Sequence, residues 1–331
     1  MAKKKWRKTK ILIGAVCFLI LAYWLYGVYV KYKWGQYLPS TDIVVNGVER
    51  EYHLFVPTDP PDGPMSLMVV AIGGNAGSWM FPQQSGFEEL AEKEGIILAF
   101  PVGKLVPPNE GAWQLNTDDQ SRQDIDFVEA MIDDVSAQQP VDPARVYAIG
   151  YSLGSMFTYE LACHMSSRFA AIASFAGTMP VSPNSCVQEE YVPIMHIHGL
   201  EDGIIAYGNT WDWKSWDTVG TMRDIPSLVQ FWSDQYNCQN ESQTESADSL
   251  HIVHDMCDQN VRVEHHRVNE SGHGWPETIN GVPTYQVIWS FLSGFSKPDD
   301  STAIEVLSGS ETEMETGTER SSNQVTTNRT G

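Results

Sequence analysis

Positive charge is what this chain most lacks. Outside its first 34 residues only 13 Lys and Arg face all 42 Asp and Glu, a net charge of −29. A body so acidic repels phosphate backbones, which argues against nucleic-acid binding and for a solvated surface. No internal repeat is present. Nine histidines occur, yet His196, His198, His265 and His266 have no spacing that resembles a dedicated zinc site, so no metal is expected. From Lys297 onward large apolar side chains almost vanish among Ser, Thr, Glu, Asn and Gly. Such a stretch buries too little surface to offset chain entropy, and disorder is expected over 297–331.

Charge of either sign is missing from residues 11–30, a run of 20 apolar positions. About 20 such residues span the hydrocarbon core as a helix. Six bases precede the run and two follow, which predicts a cytoplasmic N-terminus and an exported body. A cleaved signal peptide is the rival reading. The run is longer than a usual apolar signal core and no A-x-A-like site follows it. Tyr23, Trp24, Tyr26, Tyr29, Tyr32 and Trp34 suit an interfacial belt. The expected organisation is a basic segment at 1–10, a signal-anchor helix at 11–30, a linker at 31–41, a catalytic domain at 42–296 and an acidic tail at 297–331.

Cysteine is also sparse. Cys17 lies in the apolar run, and export places Cys163, Cys186, Cys238 and Cys257 where oxidation favours disulfides. Four cysteines allow three pairings. The local pairs, Cys163–Cys186 and Cys238–Cys257, are preferred.

Strand and helix signals alternate through the body. Residues 42–48 and 51–56 alternate about the turn Asn46-Gly47, a hairpin signal. Short apolar runs at 66–72, 96–100, 145–149, 170–175, 194–197 and 261–268 read as strands. Helical spacing appears at 87–93, 123–138, 153–164, 225–236 and 285–295. The polar stretch 239–256 reads as a surface excursion. Strands alternating with helices predict an α/β fold with a mostly parallel sheet covered on both faces.

The strongest chemical signal is Gly150-Tyr151-Ser152-Leu153-Gly154, between a strand-like run and a helical one. A G-x-S-x-G at such a junction forces a tight elbow in which side chains at the glycines would collide, and it leaves the serine oxygen exposed. An ordinary helix N-cap serine is the bland alternative. A serine needs a base to take its proton, and the base needs an acid to orient it. The acid is sought after the strand at 193–198, where Glu201 and Asp202 are both placed for it. Among the histidines, His196, His198, His265 and His266 lie within strands and read as packed. His273, between Gly272 and Gly274, sits on a loop after a strand and is the expected base. The N–H of Leu153 and that of Gly74, in Gly73-Gly74-Asn75 after an earlier strand, are the expected oxyanion donors. Trp211, Trp213 and Trp216, with Tyr207 before them, either line a substrate site or pack a loop over the body.

Residues 42–296 resemble the polyhydroxybutyrate depolymerase and feruloyl esterase group of extracellular α/β-hydrolases. The likeness rests on Val141-Asp142-Pro143-Ala144-Arg145-Val146-Tyr147 before the elbow, Leu161-Ala162-Cys163 behind it and Phe169-Ala170-Ala171-Ile172-Ala173. His198-Gly199 through Asp202 is similar to the group's H-G-x-x-D, and Gly272-His273-Gly274-Trp275-Pro276 to its G-H-x-W-P. The resemblance implies an α/β-hydrolase fold, Asp202 rather than Glu201 as the acid, and the Cys163–Cys186 bridge. Two positions depart from it: Ala71-Ile72-Gly73 stands where the group has L-H-G, and Ser155 follows Gly154 where it has a glycine.

The leading expectation is therefore a serine esterase acting on feruloyl-, acetyl- or hydroxyalkanoate-type carboxylic esters, without a cofactor. Its partners would be an ester substrate, small or polymer-linked, and a membrane through the N-terminal helix. A catalytically silent binding module and a peptidase on the same scaffold are the alternatives. The complete set Ser152, Asp202 and His273 disfavours the first, and the short chain leaves little room for the gating domain of the second.

Overall fold

The computed structural model describes residues 2–74, 81–104, 112–118, 122–188, 190–212 and 219–298. Helix α1 (Ala2–Tyr37) carries the apolar window Leu12–Val30, with a mean hydropathy of 2.0 and no buried residue, long and apolar enough to cross a membrane. It continues through most of the span expected as a linker. Only Leu38 and Pro39 separate it from β1, because Leu38 is buried and its carbonyl accepts from His53 Nδ1 at 2.7 Å, pinning the chain at the helix end.

Strands β1 (Ser40–Val45) and β2 (Val48–Phe55) form the hairpin, with Asn46 and Gly47 at φ 51° and 79°. Positive φ at both turn positions matches the right-handed twist of the paired strands. There follow β3 (Met65–Ala71), α2 (Gln84–Glu94), β4 (Ile96–Pro101), α3 (Gln123–Gln138), β5 (Val141–Tyr151), α4 (Leu153–His164), β6 (Ala171–Phe175) and β7 (Ile194–Gly199). Beyond lie a ribbon of β8 (Trp211–Asp212) and β9 (Thr221–Met222), then α5 (Ile225–Gln235), β10 (Asn240–Glu245), β11 (Ser249–Asp255) and β12 (Val263–Val268). A second ribbon, β13 (Thr278–Ile279) and β14 (Val282–Pro283), precedes α6 (Thr284–Leu292).

Among the described residues, ten strands make one sheet in the order β1-β2-β4-β3-β5-β6-β7-β12-β11-β10. The six from β4 to β12 run parallel, and the outer strands are antiparallel. The central strands read as continuous apolar runs because both faces are covered. Leu67, Val69 and Ala71 of β3 enter one core with α3, α4 and α5, whereas Met68 and Val70 enter the other with α2 and α6. Helix α3 buries Ile125, Phe127, Val128, Met131, Ile132 and Val135, the stripe its periodicity predicts.

Stretch 239–256 differs from expectation. It is an antiparallel pair, β10 and β11, that extends the sheet beyond β12. Strand β10 (NESQTE) is exposed at every position, so it has none of the apolar signal by which a strand is recognised. The bridge Cys238–Cys257 closes its base, and Cys163–Cys186 joins the end of α4 to the segment before β7. The chain divides after Ser296. The expected tail beyond Pro298 lies outside the described residues, as do Asn75, Trp213 and Trp216.

Candidate active site

The parallel strands β5, β7 and β12 deliver three side chains beyond their C-terminal ends. Ser152 follows β5 and caps α4 at φ 56°, ψ −122°, a left-handed backbone that a serine adopts only under constraint. Backbone contacts enforce it. A side chain at Gly150 would strike the carbonyl of Gly154, and one at Gly154 the carbonyl of Ala71 in β3. One at Gly73 would lie 2.7 Å from Ser152 Cβ. The Ser152 N–H donates to Phe175 O at 2.9 Å, tying the elbow to the end of β6.

Asp202 follows β7 and is buried. Its Oδ1 accepts from the N–H groups of Ile204 and Ile205 at 2.8 and 2.9 Å. Its Oδ2 lies 2.8 Å from His273 Nδ1 and 3.3 Å from His198 Nε2. Burial opposes charge on this carboxyl, but the hydrogen bonds from His198, His273 and the two N–H groups outweigh it and hold it well below the usual carboxylate range. His273 completes the line, its Nε2 2.8 Å from Ser152 Oγ. Glu201 is exposed, and its backbone N–H holds Ser271 O at 2.9 Å instead.

The loop that carries His273 is fitted closely. A side chain at Gly199 would run into the carbonyls of Ser271 and Gly272. Tyr151 Oη donates to His273 O at 2.9 Å, and Trp275 packs against Phe81, Phe87, Tyr151 and Phe175. Of the two expected oxyanion donors, Leu153 opens α4 beside Ser152, and Gly74 has φ 79° one residue after Gly73. Trp113, stacked on Phe157, donates from its indole to Ile72 O at 2.9 Å and steadies that segment.

Behind Asp202 lies a buried polar chain. His198 Nε2 faces two acceptors, Asp202 Oδ2 and Ile205 O at 2.9 Å, so it carries the proton. Its Nδ1 is 3.1 Å from His196 Nε2, and His196 Nδ1 is 2.7 Å from Tyr159 Oη. With one proton on each ring, every bond runs from Tyr159 through His196 and His198 toward the acid. Burial, with the neighbouring His198 and His265, pushes His196 well below its ordinary value, keeping it neutral. His265 donates from Nδ1 to His196 O at 3.0 Å and meets Tyr207 Oη at its other nitrogen. Tyr207 thus supports a buried histidine, and Trp211 packs against the core. The sequence marked these strand histidines as packed, but with no view of register it did not show that one of them reaches the acid.

The strand order, and a serine elbow at the end of β5 with the acid and histidine after β7 and β12, are those of a known architecture. The structure of an acetyl xylan esterase from Aspergillus awamori superposes with a TM-score of 0.54 at 14% identity, covering 77% of this chain and 98% of that one. The chain has the α/β-hydrolase fold. A profile of the Dienelactone hydrolase family matches residues 109–215 of this chain, a span that contains Ser152 and Asp202 but ends before His273. The chain is 25% identical over 257 residues to a bifunctional acetylxylan esterase/xylanase of Neocallimastix patriciarum, covering 75% of this chain and 33% of that protein. It is 23% identical to a feruloyl esterase B of Piromyces equi, covering 71% and 42%. A putative esterase of Nocardia uniformis is 30% identical over 49% of this chain and 48% of its own. The chain thus spans a third to a half of the length of these relatives.

Proposed function

We propose that this α/β-hydrolase is a serine esterase that cleaves carboxylic esters of the feruloyl, acetyl or hydroxyalkanoate type through an acyl-enzyme. The observation that carries the reading is the continuous line Asp202–His273–Ser152, with 2.8 Å at each step. His273 Nε2 takes the Ser152 proton as Oγ attacks the ester carbonyl. The N–H groups of Leu153 and Gly74 receive the oxyanion. His273 then protonates the departing alcohol, and the same imidazole draws a proton from water to release the acid. Asp202 keeps the His273 proton on Nδ1 and balances the imidazolium. The names of the similar proteins support an ester as substrate.

Helix α1 serves in this reading as a membrane anchor, with the catalytic domain outside the cytoplasm. A membrane fraction that keeps the protein through alkaline carbonate washing supports the anchor, and a mature N-terminus near residue 30 replaces it with a signal peptide. The catalytic reading is tested on p-nitrophenyl esters of graded acyl length beside feruloyl and hydroxybutyrate esters. Ser152→Ala should fold and lose several orders of magnitude in kcat. A variant that keeps more than about a tenth of wild-type kcat overturns the nucleophile.

A further inference from the structure

Strands β11 and β12 pair so that His251 stands directly opposite His266, with Glu264 two residues earlier on the same face of β12. One ligating atom from each of the three lies within 4.8 Å of the others. We propose that His251, Glu264 and His266 form a binding site for one divalent transition-metal ion of the zinc class, outside the catalytic triad.

The chemistry of the donors selects the ion. Two imidazoles and one carboxylate suit zinc and its neighbours, whereas calcium and magnesium require oxygen donors. Three protein ligands leave a fourth position for water. His266 is 6% exposed, and its Nδ1 is buried with no hydrogen-bond partner among the described residues. A buried ring nitrogen left unpaired is costly, and a metal at this point would satisfy it.

Glu264 is oriented for the role. Arg262 Nε lies 2.7 Å from its Oε1, which leaves Oε2 to face His251 Nε2 at 3.0 Å. A ligating carboxylate is commonly steadied by such an outer partner. His251 is the entry: its side chain is 31% exposed, against 9% for Glu264. The two imidazoles are stacked at 4.0 Å with 7° between their planes. Ligation turns the exposed His251 ring out of that stack, so that its lone pair converges with that of His266. The ion would pin the polar β10–β11 extension to the strand that leads to His273. The site is independent of the esterase reading.

The test uses the purified chain after chelator treatment and dialysis. Zinc chloride is titrated calorimetrically into wild type, His251→Ala and Glu264→Gln, with thermal unfolding followed in parallel. Wild type should bind one zinc ion per chain and melt at a higher temperature with it. His251→Ala, which removes the exposed ligand and spares the core, should bind at least about tenfold more weakly and lose the shift in melting temperature; Glu264→Gln should weaken binding similarly. Metal-free His251→Ala should keep the near-ultraviolet circular dichroism of wild type, showing that the variant is folded. Equal zinc affinity in wild type and folded His251→Ala, or no binding by wild type at millimolar zinc, overturns the site.

Discussion

Asp202→Asn replaces a single side-chain oxygen, and the contacts of that carboxylate dictate the response. The amide oxygen takes the Oδ1 position, where the N–H groups of Ile204 and Ile205 donate to it. The amide NH2 then occupies the Oδ2 position, facing the protons of His198 Nε2 and His273 Nδ1. His198 keeps Ile205 O as acceptor, so its tautomer need not change. His273 has no such alternative among its contacts. Its favourable response is to move the proton to Nε2 and accept from the amide at Nδ1, and Nε2–H then cannot accept the proton of Ser152. Loss of the correct tautomer in a triad costs about 10⁴ in kcat, which is about 5 kcal/mol of transition-state stabilisation. KM should change little, since Asp202 is buried away from substrate. Folding should also weaken by roughly 1.5–3 kcal/mol through lost charged hydrogen bonds, so near-ultraviolet circular dichroism must show the variant folded at the assay temperature. Glu201→Gln is the matched control and should retain wild-type kcat. A folded Asp202→Asn enzyme within tenfold of wild type, or an equal loss in Glu201→Gln, would refute the reasoning.

Acid should unfold the protein earlier than its carboxylates alone require. Burial pushes His265 and His266 down to about 3 and His196 well below its ordinary value, so in unfolding they gain protons once the pH falls below about 6.5. Their contribution is complete above that pH and declines from there toward about 3, while Asp202, held low, adds a further loss below its ordinary value of about 3.9. Urea midpoints of metal-free protein should therefore drop between pH 7 and pH 5, and an unchanged midpoint contradicts neutral burial. Gly199→Ala should lower kcat at least about tenfold, because its methyl would collide with the carbonyls of Ser271 and Gly272 and shift the His273 loop, where an ångström of misplacement is costly. Wild-type kcat in that variant would show that the loop yields freely. Reduction of Cys163–Cys186 and Cys238–Cys257, which close loops of 23 and 19 residues, should cost roughly 2–4 kcal/mol each and lower the melting temperature. Peptide mapping without reductant reads the pairing, and four free thiols would also contradict an oxidising compartment.

The alternation of elements was legible because a strand covered on both faces must be apolar throughout, as 66–72 and 96–100 are, and a helix covered on one face must show a stripe, as 123–138 does. The Ser152 elbow was legible because steric crowding leaves glycine little alternative on either side of it. Asp202 was separable from Glu201 only through the resemblance, since both occupy the same loop and local chemistry does not distinguish them. Residues 31–37 carried no mark of whether the helix continues, and β10 carried no apolar pattern at all. The tertiary structure alone decided what depends on register. It set His198 against Asp202 and threaded the buried chain back to Tyr159. It also placed His251 opposite His266 across two strands that the sequence read as a polar excursion and a separate strand. A side chain's identity is local, but its partner across a sheet is chosen by pairing. A shift of one residue in that pairing would send every such contact to the other face.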